Sequence, residues 1–241
     1  MGIIKNILKR VLKENTIVEK QKISEYAYKI RVKSDNIKDV EFVAGYFLRI
    51  GIGLTEESLT MQDFVRSYSV WNIDKTNGTL DIAIATHSKG SGAKWIEERK
   101  VGDKVYFTWK KGIFILDESA DSYLFIGDLS ALSHLYMIRR NLPKNKQVES
   151  ILYSQHKNEL YADIDGTTPF NFYELPQNPT EEIINKVKEI VPKMTGKKIV
   201  YVGGDSRVCV ALNQYFRREL NWDTKQIKTK PFWNPDKKGL E

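Results

Sequence analysis

The run Arg66-Ser67-Tyr68-Ser69 puts a guanidinium, a phenol ring and two hydroxyls within four residues. In an extended strand, residues two apart share a face. A guanidinium that matches a phosphate with two parallel hydrogen bonds then lies beside a flat ring suited to stacking, and the Ser69 hydroxyl follows within reach of a ring nitrogen. Arginine, aromatic and hydroxyl together suit a flavin nucleotide. Further on, Thr86-His87 ends an apolar run, and Gly90-Ser91-Gly92-Ala93 opens a short helical stretch that contains Trp95. Glycines there let backbone N–H groups converge on an anion at the start of a helix. Two more turns, Gly127-Asp128-Leu129-Ser130-Ala131 and Gly203-Gly204-Asp205-Ser206, each separate a strand-like run from a helical one. In open α/β sheets, ligands bind at such carboxyl ends of strands, and a nicotinamide nucleotide fits that position. Neither turn follows the GxGxxG pattern, so each also reads as plain punctuation.

These residues need two kinds of scaffold. From residue 16 to about 116 the texture is β: runs at 26–32, 46–52, 67–73, 80–86 and 104–108 are rich in β-branched and aromatic residues. Turn chemistry at Ser34-Asp35-Asn36, Asn77-Gly78 and Val101-Gly102-Asp103 separates them. Six strands at this spacing predict an antiparallel barrel, which removes exposed edges. From 123 onward strands alternate with helices. Strands are expected at 123–126, 147–154 and 198–202, and helices at 130–141 (stopped by Pro143), 180–194 (Thr180 as N-cap, Glu181 and Glu182 in the first turn) and 207–220. That alternation predicts a parallel sheet. Residues 117–122 are small and polar and read as a linker. Residues 3–12 carry apolar side chains at helical spacing with lysines and an arginine beside them, which predicts a short amphipathic helix, packed on the body or lying on a membrane surface. The expected organisation is therefore 1–15 helix, 16–118 barrel, 119–241 α/β.

Composition narrows the chemistry. The single cysteine, Cys209, excludes an internal disulfide, a cysteine-built zinc site and an iron–sulfur cluster of the chain's own. His87, His134 and His156 lie far apart without metal-ligand spacing, so no metal site is expected. No apolar run approaches the roughly 18 residues that span a bilayer, and no signal peptide is evident, so the expected location is cytoplasmic. Thirty-eight Lys and Arg against 31 Asp and Glu give a net charge of +7, which favours anionic partners. The excess is spread along the chain and no nucleic-acid motif accompanies it. A basic nucleotide- or RNA-binding module without redox activity is the competing class. His134 and Cys209 read as packing residues.

The order GYFLRI, RSYS, LDIAIATH with GSGAKW, and GDKVYF with KKGIF resembles the flavin-binding barrel of the ferredoxin–NADP reductase superfamily. One branch, the siderophore-interacting proteins or ferric-siderophore reductases, is the more similar. Its marks are the run from His87 to Trp95, Gly127-Asp128-Leu129-Ser130-Ala131-Leu132, Gly203-Gly204-Asp205-Ser206 before a basic helix, and Phe232-Trp233 near the C-terminus. The resemblance implies an antiparallel six-stranded FAD-binding β-barrel followed by a doubly wound parallel-sheet NAD(P)-binding domain. It implies tightly bound FAD, with Arg66 on the phosphates, and Ser67, Tyr68 and Ser69 on the ribityl chain and ring, Ser69 tuning flavin N5. Thr86, His87, Gly90, Ser91, Gly92, Ala93 and Trp95 complete that site, with Trp233 near the flavin. Ala93 stands where many relatives have serine. Gly127, Asp128, Leu129, Ser130, Ala131, Gly203, Gly204, Asp205 and Ser206 would flank NADPH or NADH; the stretch Ser154-Gln155-His156-Lys157 leaves the choice between them open. Arg49, Lys110 and Lys230 are candidates for a ferric siderophore or another Fe(III) chelate. The implied activity is NAD(P)H-dependent reduction of that chelate to release Fe(II) by a monomeric enzyme, with ferredoxin as an alternative acceptor.

Overall fold

The computed structural model describes residues 12–52 and 65–236. The expected N-terminal helix lies, but for Leu12, outside the described residues; by Lys13 the chain is already in strand β1. The chain forms two compact units, one ending at Gly112 and the other beginning at Ile113. The second starts earlier than the composition suggested. Phe114 is buried and packs against Tyr201, Phe232 and His134 of its own unit, with ring centroids 5.5, 6.3 and 4.9 Å away.

The first unit holds strands β1 (Lys13–Ser24), β2 (Ala27–Lys33), β3 (Phe47–Gly51), β4 (Val65–Ser69), β5 (Asn72–Asp74), β6 (Thr79–Ala85) and β7 (Lys104–Lys110), with helix α1 (Ser91–Glu98) after β6. They form one antiparallel sheet in the order β4-β3-β7-β1-β2-β6-β5, seven strands among the described residues rather than six, because the run expected at 67–73 divides into two. The division closes the barrel. β4 and β5 are the two edges of the sheet, yet only Val70 and Trp71 separate them in the chain. Val70 N–H donates to Tyr46 O on one side of the seam, and Trp71 N–H donates to Asp81 O on the other. Inside, Ile17, Ile30, Val32, Leu48, Ile50, Leu80, Ile82 and Ile84 are fully buried, each contributing about 1.5–3 kcal/mol of apolar transfer.

The second unit contains β8 (Ser122–Gly127), α2 (Leu132–Asn141), β9 (Gln147–Ser154), β10 (Phe172–Glu174), α3 (Thr180–Ile190), β11 (Lys198–Asp205), α4 (Ser206–Arg218) and β12 (Ile227–Trp233). The sheet is parallel in the order β10-β9-β8-β11-β12. β8, all of it buried, reads as a continuous apolar run, as a strand covered on both faces must. Two helix ends differ from expectation. Helix α3 stops at Ile190 and tightens into a 3₁₀ turn at Val191–Lys193, because Pro192 has no N–H to continue the ladder. Its N-cap is Pro179 rather than Thr180, whose hydroxyl bonds Asn178 Oδ1 at 3.3 Å. The segment between β9 and α3 adds the short edge strand β10, which extends the sheet.

Candidate functional site

The Arg-Ser-Tyr-Ser run is strand β4, so period two splits it between two faces. Ile50 pairs with Arg66 and Leu48 with Tyr68, while Arg49 pairs with Ser67 and Phe47 with Ser69. Arg66 is buried, 4% exposed, and its Nη2 donates to Ser91 Oγ at 2.8 Å. Ser91 is the first residue of α1. Gly90 caps that helix with a carbonyl that accepts from Lys94 N–H but has no side chain to satisfy the first-turn N–H groups, and no acidic residue lies in that turn. A buried guanidinium and a helix N-terminus thus meet at one place. Both are positive, so together they call for an anion. Among the described residues, a Cβ added at Gly90 would meet Ser88 Oγ alone, at 3.6 Å. The fold itself leaves room there, as close approach of a phosphate to the backbone requires.

The preceding turn is built for this. Thr86 N–H donates to Tyr26 O, and Lys89, in the left-handed region at φ 51°, donates to Thr86 O. The chain thereby reverses from β6 into α1 past His87. Gly92, Ala93, Trp95 and Ile96 form the buried face of α1, so Trp95 anchors the helix whose N-terminus meets Arg66. The residues present fit the diphosphate of a flavin nucleotide. On the opposite face of the sheet, Arg49 is exposed, and its strand partners are Ser67 and Thr108. Lys110, also exposed, pairs with Phe47. Arg49, Lys110, Ser67 and Ser69 therefore share one surface. Lys230 belongs to the second unit, exposed on β12 opposite Gly203.

In the second unit, the strand order reverses between β8 and β11, and both glycine turns sit at the carboxyl ends of those strands, Gly127 opposite Gly203. This is the crevice where α/β sheets bind nucleotides. The backbones approach closely: a Cβ at Gly203 would lie 2.9 Å from the Ala131 Cβ and 3.1 Å from the Phe232 ring.

Asp128, one of the expected nucleotide contacts, has a different task. Its Oδ1 accepts from Ser130 N–H at 2.9 Å and from Ser130 Oγ at 2.5 Å. Its Oδ2 accepts from Asp205 N–H at 2.8 Å and from Trp233 Nε1 at 2.7 Å. One carboxylate thus ties both turns and the end of β12 together, and the indole N–H of Trp233 is committed to it. Leu129 and Ala131 are buried beneath the first turn. Beside the second, Asp205 caps α4 through Arg207 N–H and holds the Arg207 guanidinium, Nη2 to Oδ2 at 2.6 Å, while Asn234 Nδ2 donates to Ser206 Oγ. The Asp205 carboxylate raises the pKa of Arg207. Sequence reasoning missed Arg207 and Asn234 as partners of this turn. An aspartate three residues before a valine-rich helical run, with arginine at +2, was the available sign of a cap.

His134 is buried and its Nε2 donates to Phe114 O at 2.7 Å. A carbonyl only accepts, so Nε2 carries the proton of the neutral ring. Burial, opposed in part by that bond and reinforced by nearby Lys230, lowers its pKa from 6.5 to about 4. The unfolded chain therefore binds the proton more readily, and stability is lost as pH falls from about 6.5 towards 4. The expected cost by pH 4 is about 3 kcal/mol, and thermal melts of His134→Gln against wild type across this range check it: the variant should lose less over the interval. Cys209 is buried and its thiol pKa is pushed far up by burial, consistent with inert packing. Among the described residues, no group of His, Cys, Asp and Glu is arranged to hold a metal ion, and no helix is long and apolar enough to cross a membrane.

Residues 14–114 match the family model of the oxidoreductase FAD-binding domain, and residues 120–236 match that of the siderophore-interacting proteins. The ferric vibriobactin reductase ViuB of Vibrio cholerae is 22% identical over 186 residues, 71% of this chain; the chain spans 65% of the length of that relative. The siderophore-interacting protein SipS of Aeromonas hydrophila superposes with a TM-score of 0.75 at 19% identity, covering 94% of this chain and 92% of that one. A siderophore-interacting protein from Acinetobacter baumannii gives 0.76 at 16% identity, with 92% and 90% covered. The likeness to these structures is one of fold.

Proposed function

We propose that the chain, whose residues 14–114 match the oxidoreductase FAD-binding domain and whose residues 120–236 match the siderophore-interacting proteins, is an FAD-dependent reductase that draws on NADPH or NADH and reduces the Fe(III) of a ferric siderophore. The observation that carries this reading is the buried Arg66 guanidinium against the first residue of α1, 2.8 Å from Ser91 Oγ, in the unit that matches the FAD-binding family. Bound FAD would supply hydride acceptance from the nicotinamide nucleotide and single-electron donation to the acceptor, and hard oxygen donors hold Fe(II) less tightly than Fe(III).

The chain's own residues bind, orient and tune. Arg66 and the N–H groups of Gly92 and Ala93 hold the flavin diphosphate, with Thr86, His87, Gly90 and Ser91 shaping the turn. Tyr68 offers its ring, and Ser69, at the end of β4, a hydroxyl from the other face. The turns at Gly127–Ala131 and Gly203–Ser206 hold the nicotinamide nucleotide, and the Asp128 carboxylate fixes their spacing. Arg49 and Lys110, exposed on the surface that also carries Ser69, supply positive charge for an anionic chelate. Electron transfer to iron needs no protein acid or base. The relevant compartment is one that supplies NAD(P)H, the cytoplasm.

The visible spectrum of the purified protein, before and after anaerobic NADH or NADPH, is the test. Flavin absorbance that bleaches and returns on adding a ferric siderophore is the expected result; return only on adding ferredoxin points to a protein acceptor, and a colourless chain that takes up no FAD overturns the reading. Ser69→Ala is expected to keep FAD and to slow bleaching about tenfold, the worth of one hydrogen bond to the reacting ring. An unchanged rate removes Ser69 from that role.

A further inference from the structure

A cavity of about 400 Å³ lies between α4 and the outer side of edge strand β12, its apolar end beside the second glycine turn, where Pro231 pairs with Gly204; Cys209, Val210, Asn213, Gln214, Arg217, Arg218, Thr229 and Pro231 line it. The helical residues fall in two rows four apart, 209-213-217 and 210-214-218, so each turn along the groove presents a pair of side chains of like chemistry and the chemistry changes from turn to turn. Its first turn is apolar, with Cys209, Val210 and, across from them, Pro231. Its last turn is cationic. Between lie the carboxamides of Asn213 and Gln214, with Asn213 Nδ2 donating to Thr229 Oγ1 at 3.1 Å. Apolar and cationic ends are two helical turns apart, about 12 Å at 1.5 Å per residue.

Among the described residues the charge here is uncompensated. Arg31, Arg99, Arg140 and Arg207 each have a carboxylate partner, whereas Arg217 and Arg218 form no ion pair among the described residues, and no carboxylate lines the groove. A favourable place at the C-terminal end of a helix accounts for positive charge; it does not account for a concave wall of amide donors or for Val210, which is 55% exposed on the same wall. From this juxtaposition we propose that the α4–β12 groove binds an elongated small organic acid, apolar at one end and carrying a carboxylate or phosphate at the other. The apolar body lies on Val210, Cys209 and Pro231, the anion takes the two guanidiniums, and Asn213 and Gln214 orient it. No lining residue is one assigned to FAD or to the nicotinamide nucleotide, so the proposal stands whether or not the chain reduces iron.

Calorimetric titration of the full, FAD-loaded chain with phenylphosphate, 3-phenylpropionate and inorganic phosphate tests it. Saturable binding of either aromatic anion is expected, tighter than that of inorganic phosphate, with the preference between the first two naming the acid. R217Q/R218Q is expected to weaken that binding at least about tenfold while leaving the melting profile and FAD content unchanged. Gln214→Glu, which offers the arginines an internal carboxylate, should do the same without removing either charge. No saturable binding, or binding that both variants leave intact, overturns the proposal.

Discussion

Replacing Arg66 with alanine is expected to yield a folded protein purified without FAD. The side chain is 4% exposed and presents its fork at the start of α1, where a diphosphate would receive two charge-assisted bonds in a poorly solvated place. Truncation to alanine removes about 3–4 kcal/mol of such contact, a loss of FAD affinity of about 100- to 1000-fold. Arg66→Lys keeps the charge and loses the planar fork, so it should fall between, about tenfold weaker than wild type. Fluorescence titration of the stripped proteins with FAD measures both. Circular dichroism that overlays wild type separates lost binding from lost fold. FAD affinity unchanged in Arg66→Ala would remove the guanidinium from the site and leave the α1 turn to be explained in another way.

The second large effect falls on Gly204→Ala. Gly204 has φ +120°, a conformation that side chains rarely adopt, and an added Cβ would lie 2.4 Å from Asp128 Oδ2. That carboxylate has nowhere to go, since the same oxygen already receives Asp205 N–H and Trp233 Nε1 and its companion receives Ser130 twice. Backbone strain and the displaced hub together are expected to cost about 4 kcal/mol. Gly166→Ala is the control within the same unit. Gly166 also has positive φ, +82°, but its Cβ would meet nothing within 4 Å, so only the conformational cost of about 1 kcal/mol should appear. Denaturant melts of the two variants give the difference. If they are equally destabilised, the Asp128 clamp is softer than its hydrogen bonds imply, and the two glycine turns are not held by it.

The change from a two-residue to a helical period was legible in the residues, because alternation and turn chemistry are local properties of the backbone. So were the positions of the glycine turns and the membership of Arg66 and Tyr68 in one strand face. Each follows from residues within a few positions of one another. Three other features depend on residues far apart in sequence. The barrel closes at Val70 and Trp71 because one N–H finds Tyr46 just before β3 and the other finds Asp81 in β6, an outcome set by the sheet order. Asp128 stands in a sequence context that suits a ligand contact, yet its oxygens are taken by donors from Asp205 and Trp233, and no spacing rule states which donor reaches a buried carboxylate first. The groove beside β12 exists because that strand ends the sheet while α4 runs past it, which places Arg217 and Arg218 where no acid of the described residues meets them. Composition and periodicity determined the two kinds of layer and the order of their turns; only packing decided which polar groups are spent on holding the chain together and which are left to meet a ligand.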